Sequence, residues 1–292
     1  MKQFLLTEEP DRDKLVRLRG DDYHYLVHVR RLKPGDVFNA LLPSAKNVCV
    51  TVLSAENHTL TGRIIDTGYD PNSGTALLDG TALLDGFTNK PENTVPIILF
   101  QALPKGAKMD LIVRQAAEIG LSQIIPFVSE HTISRHAALA EGIPKERIGR
   151  WRRIVKEARQ QSGSAVDTQV LEPLSIEGIF AYWEKLQSET SQKALGLVFN
   201  PDLPSNGKQI LSDPLEKDSF HRYLYTIPPL IVLAAGPEGG FSSTELSRFV
   251  CAGFKQLSLG PAILRTETAA LFGAAAVKII LMERSWWTLK QQ

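Results

Sequence analysis

The sequence predicts an α/β domain on a mainly parallel sheet, preceded by a small β-rich domain. Three observations predict it. From residue 95 onward, apolar strand-like runs alternate with segments of helical periodicity. Before about residue 70, short β-rich runs are separated by turn signals. Between the two lies "TALLDG" twice over, at 75–80 and 81–86, flanked by "DPNSG" and "TNKPENT". Two copies of six residues are too short for a solenoid. They read as a local duplication in a connection whose Leu pairs could add a strand or a helical turn at a domain edge. The expected division is 1–72, a linker at 73–93, and 94–292.

In order, "DDYHYLVHVRRL" predicts a short helix, and Lys33-Pro34-Gly35-Asp36 a turn. "DVFNALL", "NVCVTVLS" and "LTGRIID" predict strands of a small sheet or barrel. Pro43–Asn47 and Asn57-His58 have hairpin spacing. "VPIILFQAL" predicts a buried strand. "KGAKMDLIVRQAAEIG" predicts a helix with Met109, Ile112, Val113, Ala116 and Ile119 on one face and Gly120 at its C-cap. "SQIIPFV" predicts a strand, and "PKERIGRWRRIVKEARQQSG" a helix with Ile148, Trp151, Ile154, Val155 and Ala158 inward. "KALGLVFN" and "PLIVLAAG" predict strands, and "SSTELSRFVCAGF" a helix. "KQLSLG" predicts a short strand and "TETAALFGAAAVKIILMER" a long final helix.

Composition bounds the function classes. The 292 residues are 43% apolar and 22% charged, enough to bury a sizeable core. Lys and Arg number 33 against 32 Asp and Glu, so only local charge can argue for a polyanionic partner. Cys49 and Cys251 make no disulfide framework and lack zinc-ligand spacing, which fits a reducing, cytoplasmic setting. The N-terminus has no apolar core of a signal peptide, and no run approaches the length of a membrane span.

Three motifs carry chemistry. "GPEGG", Gly236 to Gly240, follows a hydrophobic run and precedes Ser242 and Glu245, a capping box. In a parallel sheet, ligands sit outside the carboxyl ends of strands, where this run falls. Gly240 is expected to keep open the space that a backbone-bound ligand needs. No phosphate-loop or dinucleotide fingerprint is present, and the run carries no base; a tight turn with no ligand is the plain alternative. In "LSLGPAILRTETAALFGAAA", Thr266 is expected to cap a helix. Glu267 in its first turn suits the helix dipole, while Arg265 has no such structural account. Ala269, Ala270, Gly273, Ala274, Ala275 and Ala276 permit close packing, within the chain or between two chains. The 144–163 segment carries Lys145, Arg147, Arg150, Arg152, Arg153, Lys156 and Arg159 against two acids, a pattern for phosphate contacts or a solvated face. His24 and His28 at i,i+4 lack a third metal ligand, so no metal is expected.

Together, "LPKGAKMDLIVRQAAEIGLSQIIPFVSEHTISR", "RWRRIVKEARQQSG", "AAGPEGGFSSTEL" and "LSLGPAILRTETA" resemble the bacterial enzymes that methylate N3 of a uridine in small-subunit (16S) ribosomal RNA. Those enzymes are SPOUT-class methyltransferases. "HYLVHVRRLKPGDVF" resembles the same family's PUA-like RNA-binding barrel, so the resemblance spans nearly the whole chain in order.

The resemblance implies a trefoil-knotted catalytic domain, a homodimer with sites at the subunit interface, and S-adenosyl-L-methionine as cofactor. It places the cofactor against Leu233, Ala235, Gly236, Pro237, Glu238, Gly239 and Gly240. Leu259, Gly260, Ile263 and Leu264 form a second wall, with Phe199 and Asn200 as a third. RNA contacts are expected at Arg30, Arg31, Lys105, Arg135, Arg150, Arg152 and Arg153. Loss of the uracil N3 proton spreads charge onto O2 and O4, which makes Arg265 the candidate catalytic cation, with Glu267 either taking the proton or serving only the helix dipole. Ala262 and Ser164 stand where the family usually has Arg, and the TALLDG duplication is unlike the family. The alternatives are a ribose 2′-O-methyltransferase of the same knot class and a non-catalytic RNA-binding protein.

Overall fold

Asn57 and His58 both take positive φ, at 50° and 56°, between two long strands. That pair of left-handed residues is the signature of a type I′ hairpin, whose twist matches that of the strands it joins. The computed structural model describes residues 3–44, 46–65, 76–78, 81–83, 95–132, 143–190, 193–201 and 219–285. It divides into two units: 1–92 with 159–165, and 93–158 with 166–292.

In the first unit, β1 (Phe4–Leu5), β2 (Leu15–Arg19), β3 (Val37–Leu41), β4 (Asn47–Glu56) and β5 (Thr59–Ile65) form a five-stranded sheet, order β1-β3-β4-β5-β2. Only the β1–β3 pairing is parallel. Alternation in the strands turns Val16, Leu18, Phe38, Val50, Val52 and Leu60 into one core with Phe4 and Leu26. The helix predicted over 21–32 is two short pieces, α1 (Gly20–Tyr23) and a π-helical stretch His24–Val29. Its widened turn shows in the Arg30 N–H, which donates to the carbonyl of Tyr25 at 2.9 Å. Leu26 is buried there while His24 and His28 stay outside, with ring centroids 5.1 Å apart. The duplication pairs with itself: β6 (Ala76–Leu78) and β7 (Thr81–Leu83) form an antiparallel ribbon.

The second unit is a parallel sheet of β8 (Ile97–Ala102), β9 (Gln123–Val128), β10 (Gln169–Val170), β11 (Leu174–Ser175), β12 (Leu195–Phe199), β13 (Ile231–Ala235) and β14 (Lys255–Leu257). Its order is β10-β9-β8-β13-β12-β14, with β11 also on β9. The helices are α2 (Lys108–Ile119), α3 (Lys145–Ser162), α4 (Ile176–Glu189), α5 (Phe220–Tyr223), α6 (Ser243–Cys251) and α7 (Thr266–Ser285). Successive strand residues feed opposite cores. Ile97, Leu99, Ile231 and Leu233 pack with α2, α3 and α7. Ile98, Phe100, Val232 and Ala234 pack with α4 and α6. Burial on both faces explains why these strands read as unbroken apolar runs.

The inward residues predicted for α3 are the ones buried, and Gly120 ends α2 at φ 82°. The segment 164–192 received no prediction. It holds β10, β11 and α4, which the Ser175 side chain caps by accepting from Gly178 N–H at 3.1 Å. Ile179, Trp183 and Leu186 form its inward stripe at helical spacing.

Candidate active site

Parallel strands deliver their C-terminal ends to one edge of the sheet, and the segments that follow β9, β13 and β14 carry the three predicted motifs. After β13, the chain turns at once. Gly240 N–H donates to the Pro237 carbonyl at 2.9 Å, closing a four-residue turn, and Gly240 has φ 69°. The glycines serve different ends. A Cβ on Gly236 would lie 3.3 Å from Gly240 C and Phe241 N, so the loop folds back on its own first residue. A Cβ on Gly239 would lie 3.0 Å from Cβ of His131. Gly240 and Gly260 have nothing within 4 Å of that position, and both take positive φ. The space expected beside Gly240 is therefore there, but within the chain its glycine answers to backbone conformation.

The loop is held from three sides. Glu245, 4% exposed, completes the predicted capping box: it accepts from Ser242 N–H at 2.9 Å, and Ser242 Oγ accepts from Glu245 N–H at 3.2 Å. The same carboxylate accepts from Glu130 N–H at 2.9 Å and from the Ser129 hydroxyl at 3.1 Å, both just after β9. The His131 ring Nδ1 lies 3.1 Å from the Gly239 carbonyl, close enough to donate its N–H there. From the β8–α2 connection, Lys105 N–H and the Lys108 ammonium donate to Glu238 at 3.0 and 2.7 Å. The bond to Glu238 raises the Lys108 pKa. Burial pushes the Glu238 carboxyl up, but the Lys108 bond and backbone amides outweigh it and hold the carboxyl below its ordinary range.

Arg265 and Glu267 flank Thr266 at the start of α7. Arg265 is exposed, and its carbonyl accepts from Ala269 N–H at 2.8 Å. Its guanidinium has no hydrogen bond or ion pair among the described residues. Glu267 lies 3.5 Å from Lys108 Nζ, and its Oε2 is buried without a hydrogen-bond partner among the described residues. The helix begins at Thr266, so Thr266 is not the cap that was expected. Its hydroxyl donates to the Gly236 carbonyl and accepts from Gln101 Nε2–H at 3.1 Å. Gln101, fully buried, also donates to the Ala102 carbonyl at 2.8 Å, while its Oε1 has no partner among the described residues. An unpaired buried acceptor costs about 1–3 kcal/mol.

The other predicted walls differ in character. Leu233 and Ala235 are buried in the sheet. The Phe199 ring is buried against α7, where any Cβ on Gly273 would collide with it. Asn200 donates to Gln256 Oε1 at 2.8 Å, tying β12 to β14. Gly260, Pro261 and Ala262 are exposed and Ile263 is 79% exposed, while Leu259 and Leu264 are half-buried.

Of the predicted RNA contacts, Arg150 pairs with Asp110 at 2.8 Å and Arg152 with Glu172 at 3.4 Å. Arg153, Arg30, Arg31 and Lys105 are exposed. Arg135 lies outside the described residues. Lys108, His131 and Gln101 were not predicted, nor was the bonding of Glu245 beyond its capping box. The signal available for the first three was position: each follows or ends a strand at this edge. Among the described residues no cluster of three His, Cys, Asp or Glu could hold a metal, and no helix is long and apolar enough to cross a membrane.

Residues 91–278 match the RNA methyltransferase domain family, and residues 18–65 match the RNA methyltransferase PUA domain. The chain belongs to this family of RNA methyltransferases. It is similar to the "Ribosomal RNA small subunit methyltransferase E" of Synechocystis, 29% identical over 96% of this chain and 78% of that one. It is also similar to "Ribosomal RNA small subunit methyltransferase E 2" of Borreliella burgdorferi, 27% identical over 96% and 98%. Among solved structures it matches the Neisseria gonorrhoeae ribosomal RNA small subunit methyltransferase E bound to S-adenosyl methionine. That match has a TM-score of 0.67 at 25% identity, covering 96% of this chain and 98% of the other. The fold is the mixed α/β fold of an RNA methyltransferase domain on a parallel sheet, with a PUA domain before it.

Proposed function

We propose that the protein transfers methyl from S-adenosyl-L-methionine to N3 of a uridine in small-subunit ribosomal RNA, as a homodimer in the cytoplasm. The observation that carries the reading is the joining of the two motifs: Thr266 bonds the Gly236 carbonyl, so the Gly236–Gly240 turn and the Arg265–Glu267 pair form one site. The names of the relatives and the bound ligand of the Neisseria structure support it.

The residues fit the cofactor. Open space beside Gly240 and Gly260 leaves main chain accessible to a ligand. The carboxylate of the turn itself, Glu238, is already paired with Lys108. Gly236 to Gly240, Leu259, Gly260, Ile263 and Leu264 would hold it. Bound there, it supplies an electrophilic methyl carbon.

The protein's own residues supply the rest. The Glu267 carboxylate, whose Oε2 lies 3.5 Å from the Lys108 ammonium that steadies it, takes the N3 proton of uracil. Loss of that proton spreads charge onto O2 and O4 of the base. The Arg265 guanidinium offers N–H donors to that charge, as an oxyanion hole does. Reaching the base requires it to be unstacked, and exposed Arg30, Arg31, Lys105 and Arg153 lie on surfaces suited to phosphates. The second copy is supported by α7, where Phe272 and Ile279 are 54% and 51% exposed on a helix of small residues.

Incubation with small-subunit RNA or particles and labelled cofactor, followed by nucleoside mass spectrometry, is expected to give 3-methyluridine. A ribose-methylated or carbon-methylated product would overturn the reaction. Light scattering is expected to give twice the 32.3 kDa chain mass; a monomer that methylates would overturn the shared site.

A further inference from the structure

We propose that Gln101 and Thr266 are positioning residues that set the Gly236–Gly240 loop for the cofactor, an inference that rests on assigning that loop to adenosylmethionine.

The chemistry of the two side chains fixes a one-way relay. The Gln101 amide nitrogen has two hydrogens and spends one on the Ala102 carbonyl and one on Thr266 Oγ1. Thr266 has one hydrogen and gives it to the Gly236 carbonyl. Turning the Gln101 amide over would set its oxygen against the Ala102 carbonyl, acceptor to acceptor. The orientation is therefore held even though it strands the amide oxygen. An apolar side chain would fill the same buried place without stranding an acceptor, but it would hold neither the Ala102 carbonyl nor Thr266.

What it holds is the first peptide of the loop. Ala235 stands opposite Gln101 in the β8–β13 register, and Gly236 is the next residue. Gly240 folds back within van der Waals reach of Gly236, so fixing one peptide fixes the turn. Thr266 is also the first residue of α7, between Arg265 and Glu267. One hydroxyl thus sets the loop relative to both.

Thr266→Val keeps the shape and removes the hydroxyl; Thr266→Ser keeps the hydroxyl. By calorimetry, adenosylmethionine affinity is expected to fall about tenfold in Thr266→Val and to stay near wild type in Thr266→Ser. Without ligand, hydrogen exchange at the Gly240 amide is expected to speed up in Thr266→Val. Gln101→Met is expected to weaken binding on its own and to add little to Thr266→Val, because the two act in series. Wild-type affinity and exchange in Thr266→Val, equal losses in the Ser and Val variants, or additive losses in the double variant would overturn the relay. Should Thr266→Val fail to fold, unchanged Gly240 exchange in Gln101→Met would do the same. Failure of the wild type to bind adenosylmethionine would instead overturn the assignment of the loop, and the relay with it.

Discussion

The Gly236–Gly240 turn and the Leu259–Leu264 segment leave the same edge of one sheet, yet they are built in opposite ways. The first is bonded to the segments that follow β8 and β9, to α2 and to α7. Among the described residues the second has one side-chain bond of its own, from the Ser258 hydroxyl to the Gly260 carbonyl at 3.1 Å, and it shows Ile263 to solvent. The difference teaches which half of the site one chain completes alone. A turn this densely bonded is preorganised, and a segment this open gains its cover from what binds it, the cofactor and the second copy proposed above.

Four experiments test that contrast, the largest effect first. Arg265→Ala is expected to lower turnover by one hundred- to a thousandfold, about 3–4 kcal/mol, with cofactor affinity near wild type. Arg265→Lys should recover part, since a point charge cannot copy a planar fork. Turnover kinetics beside calorimetry separate the two quantities, and near-normal turnover would remove Arg265 from the chemistry. Glu245→Ala removes the carboxylate that holds Ser242, Ser129 and Glu130. It is expected to lower stability by about 2 kcal/mol in urea unfolding. Stability within experimental error of wild type would mean the dense bonding of the first loop does not hold it.

Replacing Arg152 and Arg153 with Ala is expected to weaken RNA binding and to flatten its salt dependence by about one unit of slope per lost contact. Arg152 and Glu172 are more than half exposed, so losing their pair should cost under about 1 kcal/mol of stability. An unchanged slope would return α3 to a solvated face.

The smallest effect is on pH. Glu238 has a lowered pKa, so its contribution is present above the unfolded value and lost as pH falls through the folded one. Lys108 has a raised pKa, so its contribution is present below the unfolded value and lost as pH rises through the folded one. Glu238→Gln is expected to flatten the acid limb of the stability profile below the ordinary carboxylate range. An acid limb unchanged by the substitution would show that the pair leaves the loop's stability alone.

Much of this was legible in the residues. Strands buried on both faces announced themselves as unbroken apolar runs, and the α3 stripe announced its inward face. The capping box could be read from Ser242 and Glu245. The second employment of Glu245 could not, because its partners Ser129 and Glu130 are more than a hundred residues away. Thr266 was misread for the same reason. Locally it is a good cap, and only the sheet order, which sets β8 beside β13, brings Gln101 and Gly236 to it. The π-helical turn at His24–Val29 has a helical residue pattern, and nothing in its composition separates it from an ordinary helix.

The sheet order also bears on when the protein becomes itself during synthesis. β8 opens the second unit but pairs with β13, and α2 packs against α7, the last element described. A ribosome that has released everything up to β14 has made most of the sheet and none of α7. Contacts this distant in sequence demand slow loop closure before they repay it. Until α7 has emerged, the nascent chain lacks the Thr266 hydroxyl that holds the Gly236 carbonyl.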